Sequence, residues 1–132
     1  MNDPFSQFCF AACPRGVVIK MKNDIKEKHG SRAGRYERSS VVNGKYSYKK
    51  YDKAIWLDNE QHSWMIGDLK DLGSTTGFLY AKDDFGGVND ENNVWNYWIG
   101  DKWKTSGTND ITVECIPGTF NFLKKTPLNC ST

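Results

Sequence analysis

No run of apolar residues in this chain approaches the ~18 that a membrane-spanning helix needs. The opening stretch, Met1 to Phe10, is polar and lacks the apolar run of a secretory signal peptide, so the chain reads as a mature or excised segment. Histidine is scarce: His29 sits in a polar stretch, His62 at an expected turn, and neither belongs to a metal or nucleophile motif. Nucleophile-elbow, zinc-protease, phosphate-loop and dinucleotide fingerprints are all missing. The adjacent acids Asp83-Asp84 and Asp90-Glu91 make a poor glycosidase pair, because that chemistry needs two carboxyls facing each other across a rigid cleft. The expectation is a protein that is not an enzyme and that carries no cofactor.

Cysteine is missing from the whole stretch between Cys13 and Cys115, and the other two are Cys9 and Cys130. Four cysteines allow three pairings, among which sequence does not choose. A nested arrangement, Cys13 with Cys115 and Cys9 with Cys130, would staple the termini together, and closing a loop of ~100 residues stabilises by about 4–5 kcal/mol in the chain-entropy picture. The spacings C-x3-C and C-x14-C lack the tight paired knuckles of structural zinc. Disulfides are the better reading, and they imply an oxidising, extracellular compartment.

What the chain has in quantity is aromatic surface. Five tryptophans, six tyrosines and seven phenylalanines make up 14% of 132 residues. Each such ring buries roughly 150–250 Å², so most must fill the core of one small domain. Charge is nearly balanced overall but unevenly placed. Arg15 to Lys53 holds 12 basic and 4 acidic residues, whereas Ala54 to Cys115 holds 4 basic and 11 acidic. Either the two halves attract each other as neighbours, or the first offers a basic face to a polyanion.

Short strand-like segments recur about every ten residues. Val17 to Met21 is the first clear strand, with Val17, Ile19 and Met21 on one face. Asn23 to Ser31 is polar, with Asp24 and Lys28 four apart, and suits one or two helical turns ended by Gly30. Gly34 to Arg38 is short and Tyr-centred. Asn43-Gly44 is the strongest hairpin signal, leading into Lys45 to Tyr51. Residues 53–67 read as a further hairpin around Asn59 to His62. Gly77 to Ala81 follows a Gly- and Ser-rich loop, and Lys82 to Asn93 is a long acidic loop. Val94 to Ile99, a turn at Gly100-Asp101, Lys102 to Lys104 and Asp110 to Cys115 complete the series. The expected fold is all-β: a sandwich or barrel-like arrangement of antiparallel sheets with seven to eight short strands. Residues 1–14 form an arm, 15–115 the Trp-rich domain, and 116–132 a tail packed on it.

Several pieces together resemble a Trp-rich domain repeated in secreted invertebrate proteins. They are Cys13, Gly34-Arg35-Tyr36, Asn43-Gly44 with Tyr48, Trp64-Met65-Ile66-Gly67, Trp95-Asn96-Tyr97-Trp98, Asp101-Lys102-Trp103 and Ile111-Thr112-Val113-Glu114-Cys115. Each piece is short; the set spans residues 13–115. The resemblance implies an extracellular setting and a Cys13–Cys115 pairing, and it implies no chemistry.

Three surfaces are candidates for binding. Trp95 and Trp98 have opposite parity, so a regular strand cannot bury both on one face. An exposed indole beside Asp, Asn and Lys suits sugar recognition, which nominates Trp95, Tyr97, Trp98, Trp103, Trp64 and Asp101. The run Lys45 to Tyr51 interleaves bases and aromatics. With Arg35 and Arg38, its Lys45, Lys49 and Lys50 would meet a polyanion, although lysines also protect an edge strand from aggregation, the favoured reading here. A sulfated glycan suits the compartment better than nucleic acid. The acidic loop, with Asp83, Asp84 and Asp90, is a candidate calcium site without an EF-hand pattern. The leading expectation is a secreted module that binds a glycan or glycoprotein through exposed aromatics. The alternatives are a structural or adhesive matrix domain, able to associate with copies of itself, and a small secreted toxin or inhibitor.

Overall fold

The computed structural model describes residues 13–84 and 86–117. They form nine strands and one short helix: β1 Gly16–Met21, α1 Asn23–His29, β2 Gly34–Val42, β3 Lys45–Lys50, β4 Lys53–Leu57, β5 Ser63–Asp68, β6 Leu79–Lys82, β7 Asn96–Trp98, β8 Trp103–Thr105 and β9 Ile111–Cys115. All nine lie in one antiparallel sheet in the order β8-β7-β6-β5-β4-β3-β2-β1-β9. The all-β expectation holds, with nine strands in place of seven or eight. Among the described residues the arrangement is one curled sheet, with no second sheet stacked on it.

Connectivity requires the curl. A flat nine-stranded sheet would be about 38 Å across at ~4.8 Å per strand. Yet its two edges, β8 and β9, are joined by residues 106–110 alone, which reach about 20 Å. The sheet therefore bends into a half-barrel. Its inner face holds the main core: Val17, Ile19, Tyr36, Tyr48, Ile55, Trp64, Ile66, Leu79, Tyr97 and Val113 are all buried there. Helix α1 lies over this face. Ile25 enters the core, and Asp24 accepts a hydrogen bond from Tyr97 Oη at 2.7 Å. Gly30 does not end the helix in a left-handed turn. It is right-handed, with φ −58°, and begins a 3₁₀ turn, Gly30–Arg32.

The Asn43-Gly44 turn forms as read. Both residues are left-handed, with φ 53° and 92°, as a type I′ hairpin demands. The Asn43 amide also donates to Leu57 O and Gly73 O, tying the turn to β4 and to the loop after β5. The edge-strand reading of Lys45 to Tyr51 is corrected: β3 lies inside the sheet between β2 and β4. Two tight hairpins, Asn43-Gly44 and Tyr51-Asp52, pair both of its sides.

Cys13 and Cys115 form a disulfide. It joins the residue just ahead of β1 to the end of β9, and Cys13 is fully buried. Cys9, Cys130 and the expected arm and tail packing lie outside the described residues. The charge asymmetry is partly spent inside the fold. Lys20–Glu114, Arg32–Asp68 and Lys45–Asp83 each pair a base from the first half with an acid from the second.

Candidate functional site

Directly paired residues on neighbouring antiparallel strands share a face. The register therefore runs one row across the outer face: Trp56, Met65, Tyr80, Asn96 and Thr105. Beside the end of that row, Trp98 pairs with Trp103. The outer face of the other half, on β9, β1, β2 and β3, carries Lys20, Glu114, Arg35, Glu37 and Lys49. It is thus charged on one side and aromatic on the other.

The loop after β5 covers part of the aromatic side. Trp56 is fully buried, with its indole N–H donating to Ser74 O at 2.8 Å. Gly77 lies so close to Met65 and to the backbone at Ile66 that a Cβ would collide with them. Trp56, Ala54 and Met65 form a second small core under this loop, with Tyr80 packed against its side. The cover stops short of β7 and β8. There Trp103 remains 40% exposed, at near right angles to Tyr80 with ring centroids 4.8 Å apart, and 5.3 Å from Trp98. Thr105 Oγ1 donates to Asn96 Oδ1 at 2.8 Å next to them, which leaves the Asn96 amide N–H₂ available for a ligand. The result is a three-ring corner with hydrogen-bonding groups at its rim.

The six residues nominated for a sugar site part company here. Trp98 and Trp103 meet on the outer face. Trp95 and Tyr97, of opposite parity to Trp98, are buried in the inner core, as is Trp64. Asp101 is exposed in the turn between β7 and β8. Tyr80, Asn96 and Thr105 join the corner without having been nominated. Period-two counting places Asn96 with Trp98, but Tyr80 and Thr105 join only through strand order and register.

The basic candidates do not gather into one patch. Arg35 is bound to Glu37 at 3.0 Å, Arg38 lies over the Tyr46 ring, and Lys50 donates to Ala33 O and Ser31 O. Lys49 is exposed on the outer face opposite Glu37. Lys45 is largely buried, bound to Asp83 at 3.0 Å. The tyrosines of that run do not form one stacking surface either: Tyr48 is buried, Tyr46 packs on the core, and only Tyr51, in the turn after β3, is exposed.

Asp83 is engaged twice, by Lys45 and by the Trp64 indole N–H at 2.9 Å. Asp84 is exposed, and Asp90 Oδ1 accepts the Asn92 amide N–H. Among the described residues no three His, Cys, Asp or Glu side chains come together in a way that could hold a metal ion. Asp83 and Asp90 thus tie down the acidic loop, while Asp84 is exposed.

Two titratable groups support the strands of the corner from within. His29 is buried, and its Nε2 lies 2.7 Å from Trp98 O, which needs the N–H there. Burial, more than any neighbour, holds its pKa below the usual histidine value. Tyr97 is pushed up to about 12 by burial and then by the Asp24 carboxylate, and the Tyr97 hydrogen bond lowers Asp24 in return.

No helix among the described residues is long and apolar enough to cross a membrane. Comparison with models of protein families, with curated protein sequences and with solved structures finds no match.

Proposed function

We propose that this protein is a secreted recognition module that binds a glycan, free or on a glycoprotein, at the Tyr80–Trp98–Trp103 corner. The observation that carries the reading is Trp103: a large ring left 40% exposed beside two further aromatics, on the one part of the aromatic face that the loop after β5 leaves bare. A flat apolar ring stacks on the C–H face of a pyranose, and Asn96, Thr105 and Asp101 supply donors and acceptors for its hydroxyls. The Cys13–Cys115 disulfide supports an oxidising compartment. It also joins the two cysteines that the Trp-rich secreted domains would pair. In this reading the module acts by binding.

The test is an array of neutral and sulfated glycans, followed by tryptophan-fluorescence titration of each hit. Binding with a fluorescence change is expected, and Trp103→Ala should weaken it at least tenfold. Silence across both classes of sugar would sink the proposal.

A further inference from the structure

The aromatic corner has a shape as well as an apolar surface. Tyr80, Asn96 and Thr105 form one row across β6, β7 and β8. Trp98 and Trp103 form the next row on the same face, two residues further along β7. Trp103 reaches back across β7 to Tyr80, with ring centroids 4.8 Å apart and planes at 83°. Its plane stands at 65° to that of Trp98. The rings thus make apolar walls at a steep angle, not one flat platform. A pyranose stacks its C–H face on one wall only. The second wall calls for an apolar group that projects from the sugar ring, and a methyl is the smallest that serves.

The polar pair beside the rings indicates what carries that methyl. Thr105 Oγ1 gives its single proton to Asn96 Oδ1 at 2.8 Å. Asn96 Nδ2 keeps two protons to donate, and Thr105 Oγ1 keeps lone pairs that accept. The first suits a carbonyl oxygen and the second a sugar O–H. A 6-deoxy sugar has a methyl without a carbonyl. An acetamido group has both, on adjacent atoms. Directly paired residues stand about 4.5–5.5 Å apart at Cβ, which sets the Asn96 amide beside Tyr80.

Charge points the same way. The five side chains of the two rows are all neutral. Lys104 pairs in register with Tyr97, on the other face, and meets Asp24 at 3.7 Å. A sulfate or carboxylate on the sugar finds no counter-charge in those rows.

We propose that the corner selects N-acetylhexosamine residues. The sugar ring stacks on Trp103, and its acetamido methyl lies against Tyr80. Asn96 Nδ2 donates to the acetamido carbonyl, and Thr105 Oγ1 accepts from a neighbouring hydroxyl. The proposal rests on the glycan reading of this corner and names the class of sugar.

Titration of the full, oxidised chain with N,N′-diacetylchitobiose, cellobiose and a methyl fucoside tests it, followed through the indole and asparagine amide signals in a nitrogen–proton spectrum. The first two sugars differ only in carrying an acetamido group or a hydroxyl. The acetylated one should bind at least about tenfold more tightly, as one added hydrogen bond and a packed methyl allow. Saturation transfer should be strongest at its acetyl methyl. Asn96→Asp keeps an oxygen for Thr105 but loses the donor, and should bring the two sugars to within about threefold. If that variant disturbs the indole signals of Trp56, Trp64 and Trp95, the unaltered chain gives the readout instead. There the acetylated disaccharide should outbind its de-N-acetylated form by the same margin. Equal affinity for cellobiose would overturn the acetamido assignment and leave a glycan site at the corner, as would tighter binding of the fucoside or of a sulfated disaccharide. Full discrimination in a folded Asn96→Asp would overturn it too. Silence toward every sugar would overturn the glycan reading and this proposal with it.

Discussion

Trp56 has no exposed surface, and Ser74 O satisfies its indole N–H. Trp56→Ala should therefore cost about 3–5 kcal/mol, because it empties the second core and leaves a carbonyl without its donor. Urea unfolding at neutral pH measures this. Trp103 is on the opposite footing: at 40% exposure its replacement by Ala should cost no more than about 1 kcal/mol. A binding loss in Trp103→Ala would then not come from unfolding. His29 supplies a pH prediction. Its folded pKa lies below the ordinary value of 6.5, chiefly through burial. The unfolded chain takes up the proton first on acidification, so stability is full above about 6.5 and falls as pH drops toward the folded pKa. Unfolding curves between pH 7.5 and 5 should show this loss, with a smaller slope in His29→Gln. An unchanged slope would contradict the role given to His29.

The β3–β4 hairpin carries strain of a kind the sequence does not advertise. Tyr51 is the first residue of its two-residue turn, with φ 55° and 86% exposure. Bulky residues avoid this conformation, which costs roughly 1–2 kcal/mol and suits glycine. Tyr51→Gly should therefore leave the fold unchanged and raise its stability by up to about 1 kcal/mol, which a shift of the urea midpoint would show. Elements whose signal is local were legible. Asn43-Gly44 gave its hairpin because both residues tolerate left-handed backbone, and the parity of Trp95 and Trp98 separated core from surface. Features set by long-range pairing were not. Nothing local places β3 inside the sheet, and nothing near Trp64 in sequence shows that Ala81 and Asp83 enclose it. The aromatic corner was half legible: Trp98 and Trp103 stand on one short hairpin, but Tyr80 comes from β6 and joins through register.

One sheet that pairs the first strand with the last explains why the molecule carries its disulfide where it does. Cys13–Cys115 closes a loop with a sequence separation of 102 and pins β1 to β9 near the open seam. Replacing both cysteines with serine should lower stability by about 4–5 kcal/mol if chain entropy dominates, read as a lower urea midpoint. An unchanged midpoint would show that sheet pairing alone holds β9 to β1. The curl also divides labour between the faces: the inner face holds the core and α1, whereas the outer face is charged on β9 to β3 and aromatic on β4 to β8. Binding at the aromatic corner is the central claim, and the five indole N–H signals in a two-dimensional nitrogen–proton spectrum test it most directly. On titration with a glycan that the array identifies, the Trp103 and Trp98 signals should shift while those of Trp56, Trp64 and Trp95 stay fixed. Shifts confined to the buried three, or no shift at Trp103 at saturation, would contradict the account.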